Sequence, residues 1–249
     1  MDQSRFGGCV FVKLVAIETA TDASSVALTD DRRLVASSVR VDRRGHGEFL
    51  VSALDFCFDQ AGWTPEDIEG VIVDIGPGMY TGIRVGLATA QGLAAMIGVP
   101  IVPVSSLDAL ALRAATGRRR IWAVVNARRG ELAVSSYQPV PGGVVKEASA
   151  EIVTYEAFRG MLESASDDLL VVGDTEGLPS GFFNGLHRVK VGRPRFPSAE
   201  ALVDLAVVRF EQNQAPAPEE IRPMYLREAD VQISSKHLQG HGPWGELLP

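Results

Sequence analysis

Apolar positions recur at two periods along this chain. Residues 13–19 (KLVAIET), 25–30 (SVALTD) and 33–41 (RLVASSVRV) are short β-rich runs parted by polar turns, with Asp30-Asp31 as a hairpin turn. They predict three antiparallel strands. The period then lengthens. Leu50, Ala53, Leu54, Cys57, Phe58 and Ala61 fall at i, i+3, i+4, i+7, i+8 and i+11, which predicts an amphipathic helix from about Glu48 to Gln60. VIVDIG (71–76) is apolar on both faces, as an interior parallel strand requires. A helix over about 81–97, the strand IVPV and a third helix over 106–115 complete the first half.

The second half repeats this order. IWAVVNA (121–127), ELAVSSYQP (131–139) and VKEASAEIV (145–153) predict three more strands. A helix over 155–164, the apolar strand LLVVGD (169–174) and a long helix over 199–210 follow. A βββαβα unit used twice implies an α/β protein of two similar lobes with a cleft between them. A single mixed sheet with coincidental order is the alternative. The boundaries so implied are an extension over 1–12, a first lobe over 13–115, a reduced second lobe over 116–227 and a tail over 228–249. The Gly/Pro-rich composition of that tail predicts mobility.

Composition narrows the class. With 46% hydrophobic and 22% charged residues, the chain is core-forming and neither disordered nor fibrous. Its net charge of −7 argues against a protein whose main work is coating nucleic acid. The charge is unevenly placed: residues 45–83 hold seven acids and no Lys or Arg, whereas 113–129 hold six arginines and no acid. Cys9 and Cys57 form neither a disulfide framework nor a zinc motif, which makes a reducing cytoplasm the expected setting. The first twelve residues do not read as a signal peptide. Val85 to Leu107 is an uncharged run of 23 residues, long enough to span a membrane, but Gly86, Gly92, Gly98, Pro100 and Pro103 divide it into helix, turn and strand.

Candidate chemistry is sparse. Thr19 and Thr21, in the turn after the first strand, offer hydroxyls of the sort that hold phosphates, although the turn has no glycine. The segment IGPGMYTGIRVG (75–86) is either an anion-binding loop at a helix start, with Tyr80 or Thr81 near the N-cap, or a tight strand-to-helix turn. Asp74 and Asp174 occupy equivalent places in the two halves and could hold a metal-phosphate, or cap turns. Among His46, His187, His237 and His241 only the last two have metal spacing, and they sit in the Gly/Pro-rich tail, so no metal site is expected. No nucleophile motif appears, and no catalytic residue is assigned. The arginine clusters at 118–120 and 128–129 read as a solvated face rather than a phosphate track.

The helix after Arg84 is apolar or small nearly all round, and Phe49, Phe56 and Phe58 make the preceding helix apolar on more than one side. One sheet face cannot cover both. Leu50, Leu54, Phe58, Gly82, Gly86, Leu87, Ala90 and Leu93 are therefore candidate partner-interface residues, with Gly82, Gly86 and Ala90 forming a small-residue stripe for close helix approach. The alternative is that the chain's own third helix covers these two.

LVAIETATDASSVAL, GHGEFLVSAL, GPGMYTGIRVGLATAQGLAAMIGVPIVPVSSLDALA, NARRGELAVSSY and RPMYLR together resemble the bacterial TsaB (YeaZ) family, densely over 13–137 and thinly over 138–221. The resemblance implies an actin/Hsp70-like (ASKHA) fold of two lobes. It also implies a non-catalytic paralogue of TsaD, the metal-dependent subunit that transfers threonylcarbamoyl to adenosine 37 of tRNAs reading A-starting codons. Expected partners are a TsaD-like subunit, a TsaE-like ATPase, tRNA indirectly through the complex, and a second copy when alone, with no membrane. TsaD's HxxxH pair is not matched, since Leu50 stands four residues after His46. Glu18 and Met79-Tyr80 replace the family's more usual Asp and Ser-Phe. ATP or ADP is no firm cofactor, with Thr19, Thr21 and Asp74 the residues that would meet it. The competing functions are an ATP-dependent small-molecule kinase or ATPase of the same fold and, more remotely, a glycoprotein protease.

Overall fold

The computed structural model describes residues 12–212 and 214–226. The extension over 1–11, Cys9, the tail over 228–249, His237 and His241 lie outside the described residues.

The opening meander forms where the β-rich runs predict it: β1 (Lys13–Glu18), β2 (Ala23–Asp30) and β3 (Arg33–Val41) pair antiparallel in sequence order. The hairpin between β2 and β3 turns on Asp31 and Arg32, both left-handed (φ 47° and 65°), one residue later than Asp30-Asp31. A two-residue turn with positive φ at both positions matches the twist of the flanking strands. Next come α1 (His46–Ala61), β4 (Gly70–Asp74), α2 (Tyr80–Ile97), β5 (Ile101–Val104) and α3 (Ser106–Ala114). Strands β4 and β5 add in parallel, giving the order β3-β2-β1-β4-β5.

The second sheet uses β6 (Arg120–Arg128), β7 (Glu131–Val140), β8 (Gly143–Lys146) and β9 (Glu151–Thr154). The helix α4 (Tyr155–Ser164), β10 (Leu169–Gly173), β11 (Val189–Val191) and α5 (Ala199–Glu211) follow. Its order, β11-β10-β6-β7-β8 with β9 also on β7, mirrors the first sheet strand for strand. Two duplicated lobes, and not one mixed sheet, are what the repeated order encodes. The run 145–153 is two strands rather than one, because Ser135 draws the Ala148 carbonyl aside (2.7 Å) and both pieces pair with β7. The second lobe is reduced: β11 has three residues, and turns replace the equivalent of α2 between β10 and β11.

The helices cross the boundary at 115/116. α3, from the first half, packs Leu107, Leu110 and Ala111 on the second sheet, against Ile121, Ala123 and Tyr137. α5, from the second half, packs Leu202, Val203 and Ala206 on the first sheet, against Leu14, Ala16 and Ile72. Each lobe thus borrows a helix, and a division at 116 cuts both cores. The layers run α1/α2, first sheet, α5 and α3, second sheet, α4. After α5 the chain returns to the first lobe, where Ile221 enters the α1/α2 core and the Met224 N–H donates to the Ile75 carbonyl at 2.7 Å.

Candidate functional site

Two places hold the residues singled out above: the ends of β1 and β4 beside the interlobe cleft, and the outer side of α1 and α2.

At the strand ends the glycine-rich segment has a packing explanation. A Cβ at Gly78 would collide with the Ala20 carbonyl oxygen, one at Gly82 with the Thr19 carbonyl oxygen, and one at Gly86 with the Thr19 hydroxyl. Only glycine lets α2 lie this close to the β1–β2 turn. The gap is closed by hydrogen bonds, Met79 N–H to the Ala20 carbonyl and Thr19 Oγ1 to the Gly82 carbonyl at 2.8 Å. Gly76 is left-handed (φ 99°) and follows the last residues of β4. The N-cap is Met79, which makes no side-chain cap bond, rather than Tyr80 or Thr81.

These contacts consume the candidate phosphate ligands. Thr19 is buried with its hydroxyl committed to α2. Asp74 is buried, accepting from Gly76 N–H (2.7 Å) and from the Ser106 hydroxyl on both oxygens (2.7 and 2.8 Å). Glu18, the neighbour of Asp74 across the parallel β1–β4 pair, is fully buried and accepts from Ala20 N–H at 2.8 Å. Burial first, opposed by the Gly76 and Ser106 bonds, pushes Asp74 up to about 7. Burial and then the Asp74 carboxylate raise Glu18 well above the ordinary carboxylate range. Two such groups tied into the core act as structure, not as ligands for a metal-phosphate.

Thr21 and Asp174 do reach the cleft, a hollow of about 300 Å³ between the lobes lined also by Asp22, Arg43, Asn126 and Arg128. Burial and then the Asp22 carboxylate raise Asp174, and the hollow sets these two acids among Arg43, Arg128 and Arg129. Asp74 and Asp174 match in sequence order only, since one is sealed in the core and the other faces the cleft. Among the described residues no three His, Cys, Asp or Glu side chains are grouped to hold a metal. Of the arginine clusters, Arg119 pairs with Asp168 (3.1 Å) and Arg120 with Glu147 and Asp167 (2.9 and 3.1 Å), while Arg128 and Arg129 line the cleft. No helix among the described residues is long and apolar enough to cross a membrane.

On the outer helices, five interface candidates are not surface at all. Leu50, Gly82, Gly86, Leu87 and Ala90 are buried against the chain's own first sheet. The small-residue stripe faces β1, because Gly82 and Gly86 are needed for the approach just described. Leu54, Phe58 and Leu93 are half-buried at the edge of that core. Periodicity missed a second stripe: Ala88, Gly92 and Ala95, at i, i+4 and i+7, point outward, and a Cβ at Gly92 would meet nothing. Beside it stand Val51 (69% exposed) and Met96 (65%). The seam between the helices is tight at its head, where a Cβ at Gly47 would touch Val85 at 3.9 Å. The third helix does not cover this face, since α3 lies on the other sheet.

Comparison with known proteins now decides the family. A family model described as TsaD, tRNA N6-adenosine threonylcarbamoyltransferase, matches residues 36–164. The tRNA threonylcarbamoyladenosine biosynthesis protein TsaB of Escherichia coli is 30% identical over 221 residues, covering 87% of this chain and 95% of that protein. The chain belongs to the TsaB (YeaZ) family. TsaB of Haemophilus influenzae is 27% identical over 91% of this chain and 97% of its own length. YeaZ from Pseudomonas aeruginosa superposes with a TM-score of 0.73 at 27% identity, over 86% of this chain and all of that one. The ASKHA-like fold of two lobes expected from the motifs is therefore the fold of this TsaB-family chain.

Proposed function

We propose that this chain is the non-catalytic partner subunit in threonylcarbamoyladenosine formation on tRNA, pairing with a TsaD-like catalytic subunit through the exposed side of α1 and α2. The observation that carries the reading is the outward stripe Ala88, Gly92 and Ala95 with Val51 and Met96 beside it, an apolar, low-relief face on two helices whose other sides are buried. Small residues let a partner helix approach closely, so that apolar area is removed from water with little side-chain entropy lost. The same face would serve a second copy of this chain when the catalytic subunit is absent. A TsaE-like ATPase docks on the resulting pair, and tRNA is met through the complex, the partner supplying the basic surface that this acidic chain lacks.

An ATP-dependent kinase of the same fold is the weaker reading. It needs a free hydroxyl at Thr19 and an accessible Asp74, and both are bonded inside the core. Co-purification with a tagged TsaD-like subunit tests the pairing. Wild-type chain is retained, and Ala88→Glu abolishes retention while leaving the circular dichroism spectrum unchanged. Retention of a folded Ala88→Glu chain would remove the helix-face reading.

A further inference from the structure

The outward side of α1 carries a charge pattern that the folding of this chain alone does not account for. Glu48, Ser52, Asp55 and Asp59 fall at i, i+4, i+7 and i+11, a single exposed crest opposite the buried Leu50, Ala53 and Cys57. Val51 and Phe56 flank it, 69% and 50% exposed. α2 lies alongside on the same face of the first sheet, so this crest and the stripe Ala88, Gly92 and Ala95 look out together.

Two of these acids sit where a helix disfavours them. Asp55 and Asp59 are like charges four residues apart, which repel along a helix surface. Asp59 also lies in the last turn of α1, close to the negative end of its dipole, and that turn holds no basic residue. Glu48 is better placed, in the first turn with Arg40 nearby. Among the described residues no lysine or arginine pairs with Asp55 or Asp59, and Asp59 accepts from the adjacent Gln60 at 3.5 Å. The same two helices of a second copy bring a single base. Residues 45–83 hold no Lys or Arg, and the one charge in α2 is Arg84, held by the Tyr225 hydroxyl (2.8 Å) and the Tyr80 ring.

We infer that Asp55 and Asp59 set partner choice at the pairing face: they attract a partner helix that carries lysine or arginine and oppose a second copy of this chain. The inference rests on the pairing reading above and supplies the chemistry of the partner's surface. Two copies brought together on these helices either set acid against acid or bury carboxylates against the uncharged stripe of α2. Both arrangements leave charge uncompensated. A basic partner helix removes the repulsion and gains ion pairs at the rim of an apolar contact. The mixed pair is thereby preferred over the self pair, although both use the same apolar stripe.

The test is sedimentation of the full chain, alone and with a TsaD-like subunit, at about 50 and about 500 mM sodium chloride, concentrations that span weak and strong screening. Salt acts in opposite senses: the mixed pair weakens several-fold and self-association tightens. Asp55→Asn/Asp59→Asn should weaken the mixed pair about tenfold, tighten self-association about tenfold and remove most of both salt effects, with a melting temperature no lower than wild type. Glu156→Gln, on α4 of the second lobe, alters neither pairing. A mixed pair unmoved or tightened by the double variant, or self-association that is not strengthened, overturns the role of these acids while Ala88→Glu still abolishes pairing. Pairing that survives Ala88→Glu removes the pairing face itself, and this inference with it.

Discussion

The Thr19 hydroxyl donates to the Gly82 carbonyl at 2.8 Å, and the Thr19 carbonyl occupies the space a Cβ at Gly82 would need. One residue pair thus accounts for two features that suggest chemistry in the sequence, a hydroxyl in a strand-end turn and a glycine on a helix. Both serve the packing of α2 on β1. Gly82→Ala and Gly86→Ala should each destabilise the chain by about 1–3 kcal/mol through overpacking. Urea denaturation of the isolated protein reads this directly. Unchanged midpoints in both variants would mean that α2 can move away from β1 at no cost.

The paired carboxylates of Glu18 and Asp74 make stability depend on pH in an unusual direction. Both are raised in the folded state, Asp74 to about 7 and Glu18 also well above its ordinary value. A raised folded pKa means that the native chain keeps a proton the unfolded chain releases. The stabilisation is therefore complete below the ordinary carboxylate range and is lost as pH rises through the folded value. Between pH 4.5 and 7 the free energy of unfolding should fall by up to about 1.4 kcal/mol per pH unit for each such proton. Asp74→Asn, which still accepts from Gly76 and Ser106, should flatten the slope. Stability that rises over this range, or a slope unaltered in Asp74→Asn, contradicts the assignment.

Tyr225 ties the returning C-terminal segment to the first lobe. Its ring stacks on Tyr80 at 5.3 Å, its hydroxyl accepts from Arg84 Nε at 2.8 Å, and the Arg84 guanidinium lies 3.9 Å over the Tyr80 ring. Stacked aromatic and cation–π contacts at such an exposed site contribute roughly 0.5–1.5 kcal/mol each. Tyr225→Ala should release this clasp while Ile221 stays in the core. Limited proteolysis with chymotrypsin should then cut after Leu226, which is partly buried in the folded chain, several-fold faster than in wild type. An unchanged rate would place the restraint on Ile221 and the Met224 N–H alone.

Much of this molecule is legible in its sequence. Short β-rich runs between polar turns mark β1 to β3, of which β1 and β2 are buried on both faces, and the 3.6-residue period marks α1 and α4, because each of these helices buries one regular face. The duplicated order also shows, since the two sheets are built from equivalent strands. Periodicity reports that a face is buried but not by what. That is why α3 and α5 read as parts of their own halves although each packs on the other sheet. It is also why Gly82, Gly86 and Ala90 read as a partner surface. A small-residue stripe fits a strand turn as well as a foreign helix, and only the positions of Ala20 and Thr19 distinguish them. The three-residue β11 and the turns over 174–188 leave no periodic trace to read.

The pairing face is tested most directly by the dissociation constant with a TsaD-like subunit, measured by sedimentation, for two substitutions at open positions. Gly92→Arg lies on the outward stripe of α2, where a side chain meets nothing of this chain and replacing glycine favours the helix. Val145→Glu lies on β8 of the second lobe, 53% exposed and far from that stripe in the layer order. Gly92→Arg should weaken pairing by at least a hundredfold with the melting temperature unchanged, and Val145→Glu should pair as wild type does. Undiminished pairing by Gly92→Arg, or a loss confined to Val145→Glu, would contradict the account.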